Sequence, residues 1–269
     1  GPAKVNHVQS ISKETRDAFK GLLRTFREGP YEDSVGKYLR DKALAHLGSL
    51  GGGNHFIELG YHGDALWLII HSGSRGVGHT LATRYMQEAS GEQTGYEQSA
   101  PLALGSKVGK EYMNLLAFGM EFALLNRLEM AYTIRDVLRE ELSLPALDFT
   151  LWANQHHNHA LETEDGIMHR KGATPAGTGE RGIIPANMRD GTYLVEGLGD
   201  PEFLNSSSHG AGRAMSRQMA KKSLSLDMFT AQMEHITGTV GSATLDEAPD
   251  AYKPIDAVME AQRQSVRPW

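Results

Sequence analysis

The chain has 269 residues, of which 40% are apolar and 22% are charged, a composition that excludes a largely disordered protein and allows a sizeable core. It contains no cysteine, which excludes disulfides and thiolate ligands, so nitrogen and oxygen atoms must hold any bound metal. A formal net charge of −6 argues against a surface broadly attractive to nucleic acid and leaves room only for a local basic pocket.

Periodic apolar residues predict the elements of the first half of the chain. Residues 19–26 repeat apolar side chains at helical spacing after Ser12, which is expected to cap an amphipathic helix. Short strands are predicted at 55–59 and 65–71, on either side of a turn-like segment. Residues 107–138 carry leucines and methionines at helical spacing without a proline, so one or two long helices are predicted, with the methionine-rich stripe in the core.

The second half combines short strands with short helices. We predict strands at 149–153, 166–170 and 193–198, and helices at 214–222, 226–235 and 255–262. Strands and helices do not alternate regularly, which favours an α+β fold, with mixed or antiparallel sheets and surrounding helices, over a doubly wound sheet. No Pro/Gly/Ser-rich or charged linker interrupts the sequence, so residues 1–269 are expected to form one domain.

Sequence features also bear on where the protein works. No apolar run approaches the roughly 20 residues that cross a bilayer, and no basic stretch followed by an apolar one marks a secretory signal. We therefore expect a soluble, cytoplasmic protein with no membrane partner. Gly1-Pro2, in place of an initiator methionine, resembles the remnant of tag removal and indicates an excerpt from a longer chain.

His55 and His71 flank the turn-like segment 60–64. If the turn is centred on Gly63, residues whose numbers sum to 126 face each other, and the two histidines form a cross-strand pair with Cβ atoms about 5 Å apart. Such a pair is able to chelate one ion through its imidazole nitrogens. The alternative is two unconnected histidines at strand ends, bonded to nearby backbone, and a register change of one residue would undo the pairing.

A second cluster is formed by His156, His157 and His159. In a strand, His157 and His159 would share a face while His156 points away, whereas in a helix the three would fan out. We expect one metal ligand with two bystanders; solvent-exposed or core-bonded histidines are the alternative. Asn154 and Asn158 are suited to orient the ligand or to contact substrate oxygen, and equally to form turns.

The segment 206–213 is rich in groups that bind phosphate. Its serines and glycines leave hydroxyl and backbone N–H groups for phosphate, and the predicted helix that follows would offer its N-terminus. Arg213 and Arg217 would share a face of that helix as bidentate phosphate donors, and a neutral His209 is a candidate nucleophile toward phosphorus. A glycine-rich helix entry with two solvated arginines is the alternative.

Taken together, these motifs resemble the RtcB family of RNA ligases in sequence, order and approximate intervals. The segments that carry the resemblance are 47–58, 71–78, 157–158, 169–173, 208–217 and 251–259. They include the runs Gly51-Gly52-Gly53-Asn54-His55-Phe56, His71-Ser72-Gly73-Ser74-Arg75 and Ser208-His209-Gly210-Ala211-Gly212-Arg213.

The resemblance implies a GTP- and Mn2+-dependent ligase that joins an RNA 3′-phosphate or 2′,3′-cyclic phosphate end to a 5′-hydroxyl end through a histidine-GMP intermediate. By position, it implies His209 as the histidine that carries GMP and His55, His71 and His157 as metal ligands. The implied nucleotide contacts are Asn54, Glu58, Asn158, Asn187, Thr192, Ala211 and Gly212. The implied RNA or phosphate contacts are Arg75, Lys171, Arg213 and Arg217.

The sequence departs from the family pattern in three ways. It lacks the family's upstream aspartate- and cysteine-containing metal motif, it has Arg267-Pro268-Trp269 where members usually end in Lys-Gly, and residues 185–192 replace a serine- and glycine-rich nucleotide loop. These departures support a second interpretation, a nucleotide- or RNA-binding protein that does not ligate because its metal shell is depleted. A metal-dependent phosphohydrolase is a third interpretation, for which no carboxylate general base is identified.

Overall fold

A computed structural model describes residues 11–27, 41–91, 100–164 and 166–269. The chain divides into two compact units, Gly1–Thr150 and Leu151–Trp269. Both units combine helices with paired strands, which confirms the α+β prediction, and every pairing among the described residues is antiparallel. The expectation of one domain stays a prediction.

The first unit packs helices around an apolar core and one β-hairpin. Its elements are α1 (Lys13–Arg27), β1 (Phe56–His62), β2 (Ala65–His71), α2 (Arg75–Ser90) and α3 (Lys107–Glu141), and residues 41–46 are also helical. The buried core consists of Ile11, Phe19, Ala43, Leu47, Val77, Leu81, Tyr85, Leu115, Phe118 and Phe122. Phe19 and Phe122 meet edge to face with ring centroids 6.1 Å apart, which joins α1 to α3 inside this core.

The helix predicted around residues 19–26 is α1, and Ser12 caps it as expected. Ser12 Oγ accepts the N–H of Thr15 at 3.2 Å and donates to Glu129 Oε2 at 2.6 Å, while its own N–H donates to Glu129 Oε1 at 2.9 Å. Glu129 is 3% exposed, so this carboxylate of α3 takes its hydrogen bonds from the start of α1. The cap residue therefore joins two helices as well as starting one.

The two predicted strands form a hairpin, but its register differs from the prediction by one residue. Phe56 pairs with His71, because the turn has only two central residues, Gly63-Asp64. Gly63 has a φ of 57°, as the first central position of a type II′ turn requires. The predicted facing of His55 and His71 across the sheet is therefore wrong.

The two faces of this hairpin differ in character. One face includes the buried Ile69 and lies against α3. The other carries three apolar cross-strand pairs, namely Ile57 with Ile70, Leu59 with Leu68 and Tyr61 with Leu66. Tyr61 on this second face is 86% exposed, so the hairpin presents apolar side chains to solvent.

The residues predicted as one or two long helices form the single helix α3, 35 residues long. Ser106 caps it by accepting the N–H of Gly109 at 3.0 Å. The buried side of α3 includes Leu115, Phe118, Phe122, Asn126, Glu129 and Met130, and the predicted methionine-rich stripe beside it is only half-buried. Within the described residues, no helix combines the length and the apolar composition needed to cross a membrane.

The second unit is built from short strands and short helices. Its strands are β3 (Asn158–Thr163), β4 (Gly166–Lys171), β5 (Ala173–Pro175), β6 (Arg181–Pro185), β7 (Thr192–Gly197), β8 (Ser206–Ser208) and β9 (Val266–Pro268). They pair as β3 with β4, as β5 with β8 and as the three-stranded sheet β6-β7-β9. Its helices are α4 (Arg217–Ser223), α5 (Leu226–Gln232) and α6 (Ile255–Ala261), with 3-10 helices at Pro201–Phe203, Ser242–Glu247 and Pro249–Ala251. One apolar cluster, around Ile184 and Val195, joins α6 to the three-stranded sheet, and another surrounds Phe229 of α5.

Most of the elements predicted for this unit are present. The strands predicted at 166–170 and 193–198 are confirmed as β4 and β7, and the helices predicted at 226–235 and 255–262 as α5 and α6. The strand predicted at 149–153 is wrong, since these residues pair with no strand in the described chain. Trp152 instead contacts Arg181, whose Cζ lies 4.1 Å from its ring centroid, and Trp269, whose ring centroid is 4.3 Å away.

Candidate functional site

Three pairs of histidine rings lie close together, one pair in the first unit and two in the second. In the first unit His55 lies just before β1 and His71 ends β2, and their ring centroids are 5.8 Å apart. The corrected register does not separate the two rings. His55 precedes the paired residues of its strand, so the strand pairing does not fix the side of the sheet on which its ring lies. Glu58 is on the face of the hairpin that carries His71, and Asn54 is exposed next to His55.

Asn126 of α3 ties together the loops that carry this first pair. Its side-chain Oδ1 accepts the N–H of Ser49 at 3.1 Å, and its Nδ2 lies within 3.2 Å of the Ser49 carbonyl, Ser72 Oγ and the Gly73 carbonyl. Ser72 Oγ in turn donates to the Leu50 carbonyl at 2.8 Å. Asn126 is fully buried, so the loop before His55 and the loop after His71 are held to the same helix from inside the unit.

Arg75, a predicted phosphate contact, is held against the loop before His55. Its Nε donates to Ser49 Oγ and its Nη1 to the Leu50 carbonyl, both at 3.2 Å, and Nη1 lies 3.3 Å from His55 Nδ1. Gly51 leaves room for this guanidinium, because a Cβ built there would lie 1.3 Å from Nη1. Gly51 also has a φ of 94°, which an L side chain rarely adopts.

The protonation state of His55 suits a metal ligand. Burial lowers the pKa of His55, the charge of Arg75 lowers it further, and a hydrogen bond to the Leu50 backbone offsets only part of this. The imidazole is therefore neutral at neutral pH, the form that ligates metals. Two imidazoles are nevertheless fewer than the three or four protein ligands of a complete site, and the described parts of the chain contain no group of three or more metal-ligating side chains. Among the described residues of the first unit, the two predicted ligands His55 and His71 are therefore too few to complete a metal site.

In the second unit His157 and His209 stack, with ring centroids 4.6 Å apart and an interplanar angle of 28°. His209 Nδ1 lies 2.8 Å from the Gly172 carbonyl oxygen. Because a carbonyl only accepts, Nδ1 of the neutral ring must donate, and the lone pair is then on Nε2. Gly172 has a φ of 67°, and a Cβ built there would lie 3.2 Å from His209 Cε1, so a glycine lets the ring pack on this turn.

The same glycine fixes the residues at the start of β3. The N–H of Gly172 donates to the His157 carbonyl at 2.7 Å and to Asn158 Oδ1 at 3.0 Å. Asn158, a predicted nucleotide contact, therefore holds the turn between β4 and β5. Lys171 comes just before the turn glycine and is exposed, as a lysine that meets phosphate needs to be.

His156 and His159 form a further pair of neighbouring rings in this unit. Their ring centroids are 5.9 Å from each other, and His159 Nε2 is 3.3 Å from Arg170 Nη1. Burial lowers the pKa of His159, and the charge of Arg170 lowers it further. Of the three clustered histidines, His157 is therefore the one that contacts His209.

The three serines of β8 do not form a phosphate cradle. Each hydroxyl has a partner on a neighbouring element, namely Ser206 with Arg170 at 2.8 Å, Ser207 with Thr174 at 3.0 Å and Ser208 with Gln262 at 2.9 Å. The prediction that these hydroxyls are left for phosphate is wrong, because each one already has a hydrogen-bond partner within the fold. Sequence reasoning missed the contacts of Arg170 and Gln262. Arg170 lies in the segment 169–173 that resembles the family but has no predicted role, and Gln262 belongs to no pattern that marks it.

The two arginines of the predicted phosphate site are held by carboxylates. The predicted helix begins only at Arg217, capped by Ser216, so Arg213 lies outside it and the predicted shared helix face is wrong. Arg217 forms ion pairs with Asp246 and Glu247. Arg213 donates to the Asp246 carbonyl, and its Nη1 lies 3.6 Å from Glu247 Oε2. We call these two carboxylates the acidic anchor.

Asp246 of the acidic anchor is ionised, and the anchor extends to a tyrosine. Although burial acts in the opposite direction, hydrogen bonds from Arg217 and Lys221 lower the pKa of Asp246. The Tyr252 ring lies 5.0 Å from the guanidinium of Arg213, and its hydroxyl donates to Glu247. Burial raises the pKa of Tyr252, and the bond to Glu247 raises it further.

The remaining predicted nucleotide contacts of this unit gather around the end of β6. Ala211 donates its N–H to the Pro185 carbonyl at 2.9 Å, and Thr192 pairs with Pro185 between β6 and β7. Asn187 Oδ1 accepts two of the backbone N–H groups that follow it, at 3.0 Å each, which forms an Asx turn. Gly212 is exposed and has a φ of 74°. These residues lie close together in the fold, although their spacing along the chain does not indicate it.

Comparison with known proteins identifies relatives across most of the chain. The sequence profile of the family described as "tRNA-splicing ligase RtcB" matches residues 6–266. "RNA-splicing ligase RtcB" of Escherichia coli K12 is 36% identical over 245 residues, which cover 86% of this chain and 60% of the relative. "RNA-splicing ligase RtcB" of Mycobacterium tuberculosis is 31% identical over 270 residues, which cover 83% of this chain and 62% of the relative. "tRNA-splicing ligase RtcB" of Methanocaldococcus jannaschii is 30% identical over 286 residues, which cover 86% of this chain and 30% of the relative. This chain thus spans about 60% of the length of the bacterial relatives.

Replacing Asn126 by alanine should destabilise the first unit strongly. The change leaves the buried backbone groups of Ser49 and Gly73 without their amide partner, which costs about 2–4 kcal/mol in free energy of unfolding. Urea denaturation followed by circular dichroism measures this loss. Glu121→Ala, at an exposed position of the same helix, is the control and should change stability by less than about 0.5 kcal/mol. Equal effects of the two variants would contradict the role given to Asn126.

Two adjacent glycine variants test how Arg75 is held. In Gly51→Ala the new methyl group and the positive φ should displace the guanidinium and cost roughly 1–3 kcal/mol. In the control, Gly52→Ala, no atom lies within 4 Å of the new Cβ, so stability should change little. Urea denaturation and an NMR titration of His55 would be run on both. Because displacement removes a nearby charge, the pKa of His55 should rise in Gly51→Ala alone, and an unchanged pKa would count against the proposed contact.

Acidification should destabilise the protein in a defined window. Burial lowers the pKa values of His46, His55 and His159 in the fold from the usual histidine value of about 6.5, and nearby cationic side chains lower them further. The unfolded chain therefore binds protons first, and the free energy of unfolding falls as the pH drops through about 6.5, by up to ~1.4 kcal/mol per pH unit for each histidine. Urea denaturation between about pH 7.5 and 5.5 measures the slope. His159→Gln should flatten it, whereas the exposed control His235→Gln should not.

Proposed function

This chain belongs to the RtcB family, and on that premise we propose that it joins RNA ends. The substrates are a 3′-phosphate or 2′,3′-cyclic phosphate end and a 5′-hydroxyl end, and the reaction uses GTP and Mn2+ and passes through a histidine-GMP intermediate. The observation that carries this proposal is the orientation of His209, whose Nδ1 is held by the Gly172 carbonyl at 2.8 Å. That contact leaves Nε2 with the lone pair that a nucleophile needs.

The proposed chemistry has three steps. His209 Nε2 attacks the α-phosphorus of GTP, so that a P–N bond forms while the P–O bond to the departing pyrophosphate breaks. An oxygen of the RNA 3′-phosphate, produced by hydrolysis where the end is cyclic, then takes the guanylate and releases the imidazole. Finally the 5′-hydroxyl attacks the activated 3′-phosphate, which forms the phosphodiester and expels GMP. The protein contributes mainly position and charge to such phosphoryl transfers.

Metal binding is proposed for histidines of both units. His55 and His71 are the ligands in the first unit, where the lowered pKa of His55 favours the form that binds metal. His157, which stacks on His209, is the ligand in the second unit. A bound Mn2+ would neutralise charge that develops on the phosphate oxygens. The absence of cysteine means that imidazole and oxygen supply these ligands.

Cationic side chains are proposed to hold phosphate and the RNA backbone. Lys171 is exposed and available as a point charge. Arg213 and Arg217 already bind the acidic anchor, so a phosphate must compete with carboxylates for their guanidinium groups. Arg75 is the corresponding contact in the first unit. The nucleotide contacts proposed are Asn54, Glu58, Asn158, Asn187, Thr192, Ala211 and Gly212.

A second candidate function is binding of nucleotide or RNA without ligation. It is favoured by the incomplete metal shell, because the described residues bring no three metal-ligating side chains together. In this alternative His209 would not be guanylated, although the contacts for nucleotide would persist. The cytoplasmic location expected from the sequence is part of either proposal.

His209→Ala separates the two candidates. Incubation of the wild-type chain with GTP labelled at the α-phosphate and Mn2+ should place label on the protein, and the variant should fall to background because it lacks the attacking nitrogen. The exposed His235→Ala is the matched control and should label like the wild type. Thermal unfolding of all three proteins checks that the fold is retained. Label on His209→Ala at the wild-type level would refute the proposed nucleophile, and no label on the wild type would favour the binding function.

A further inference from the structure

A buried glutamine is fixed in place beside the strand that leads to His209. Gln262 follows the last turn of α6 and is only 6% exposed. Its backbone N–H donates to the Met259 carbonyl at 3.2 Å, and its carbonyl accepts the N–H of Ser265 at 2.9 Å and of Val266 at 3.1 Å. Since its main chain is bonded on both sides, its side chain leaves from a fixed point at the junction of α6 and β9.

The amide of Gln262 makes a paired contact with Ser208, the residue before His209. Its Oε1 accepts the N–H of Ser208 at 2.9 Å, and its Nε2 donates to Ser208 Oγ, also at 2.9 Å. Backbone and side chain of one serine are thus bound by a single planar group, which restrains rotation as well as position. Gln262 is buried and Ser208 is half-buried, so the loss of the amide would leave donors and acceptors that water reaches only in part without their partner.

Together with Gly172, this contact holds the candidate nucleophile from two directions. The Gly172 carbonyl binds the His209 ring at Nδ1, while Gln262 fixes the main chain one residue earlier. Ser208 also pairs with Ala173, the residue after Gly172, between β5 and β8. A shift of Ser208 would therefore move the His209 ring relative to its carbonyl partner. Misplacement of a reacting group by about 1 Å is enough to slow a reaction about 100-fold.

We propose that Gln262 is a positioning residue for His209, which acts by holding Ser208 so that the imidazole keeps its Nδ1 on the Gly172 carbonyl and its lone pair on Nε2. The role of His209 as a nucleophile rests on the proposed function, whereas the effect of Gln262 on the orientation of the ring does not. The two statements are therefore tested by different measurements.

Gln262→Met removes both hydrogen bonds while it keeps a side chain of similar length. At saturating GTP the rate constant for labelling His209 should fall about 10- to 100-fold, while the KM for GTP changes less than about threefold, because alignment rather than binding is lost. Ser207→Ala is the matched control, since it removes the bond of the neighbouring serine to Thr174 and leaves Ser208 bound. It should change the labelling rate less than about threefold.

The orientation of the ring is measured without any reaction. In the wild-type chain the nitrogen-15 shifts of His209 should show a predominant tautomer with the proton on Nδ1, and in Gln262→Met a mixture of tautomers. Unchanged shifts in that variant, with a native thermal transition, would overturn the proposal. So would a labelling rate reduced no more than in Ser207→Ala. If the wild type takes no label, only the proposed function fails, and the tautomer measurement still decides the role of Gln262.

Discussion

In each unit a buried primary amide holds the loop that leads to a histidine. Asn126 has no exposed surface and binds the backbone on both sides of the first histidine pair, and Gln262 binds Ser208 beside the second. An amide carries both donor and acceptor groups, so it is able to bond to backbone groups that helices and strand pairing leave without a partner. Burial makes each broken bond costly, which keeps these loops in one conformation. The placement of the histidine rings therefore depends on residues that are not themselves proposed to react or to bind metal.

The sequence predicts features that depend on neighbouring residues better than features that depend on residues far apart in the chain. The helical spacing around Phe19 and the cap at Ser12 are local, and α1 is confirmed. The hairpin strands are confirmed as well, but a two-residue turn shifts their register by one, because turn geometry rather than apolar pattern sets the pairing. The rings of His55 and His71 lie 5.8 Å apart although His55 lies outside the paired strand residues, so strand register does not explain why they are close.

Long-range partners account for the predictions that are wrong. The sequence shows that Ser208 and Arg217 are able to donate hydrogen bonds, but it does not show that Gln262 and Asp246 lie within reach of them. Groups that look available for phosphate are thus bound within the fold. The resemblance to a family predicts which histidines act in the reaction, and the structure adds how His209 is oriented by the Gly172 carbonyl.

The solvent-exposed apolar face of the β1-β2 hairpin affects how the protein behaves in concentrated solution. Ile57, Leu59 and Tyr61 stand in a row on β1, each beside an apolar partner on β2, and more than two-fifths of each side chain is exposed. Contact with another protein chain would cover this contiguous apolar strip and so lower the free energy. The edges of a two-stranded sheet also offer unpaired backbone groups to another chain. Concentrated solutions should accordingly form clusters more readily as temperature rises, and a charged residue in place of Leu59 would suppress that tendency.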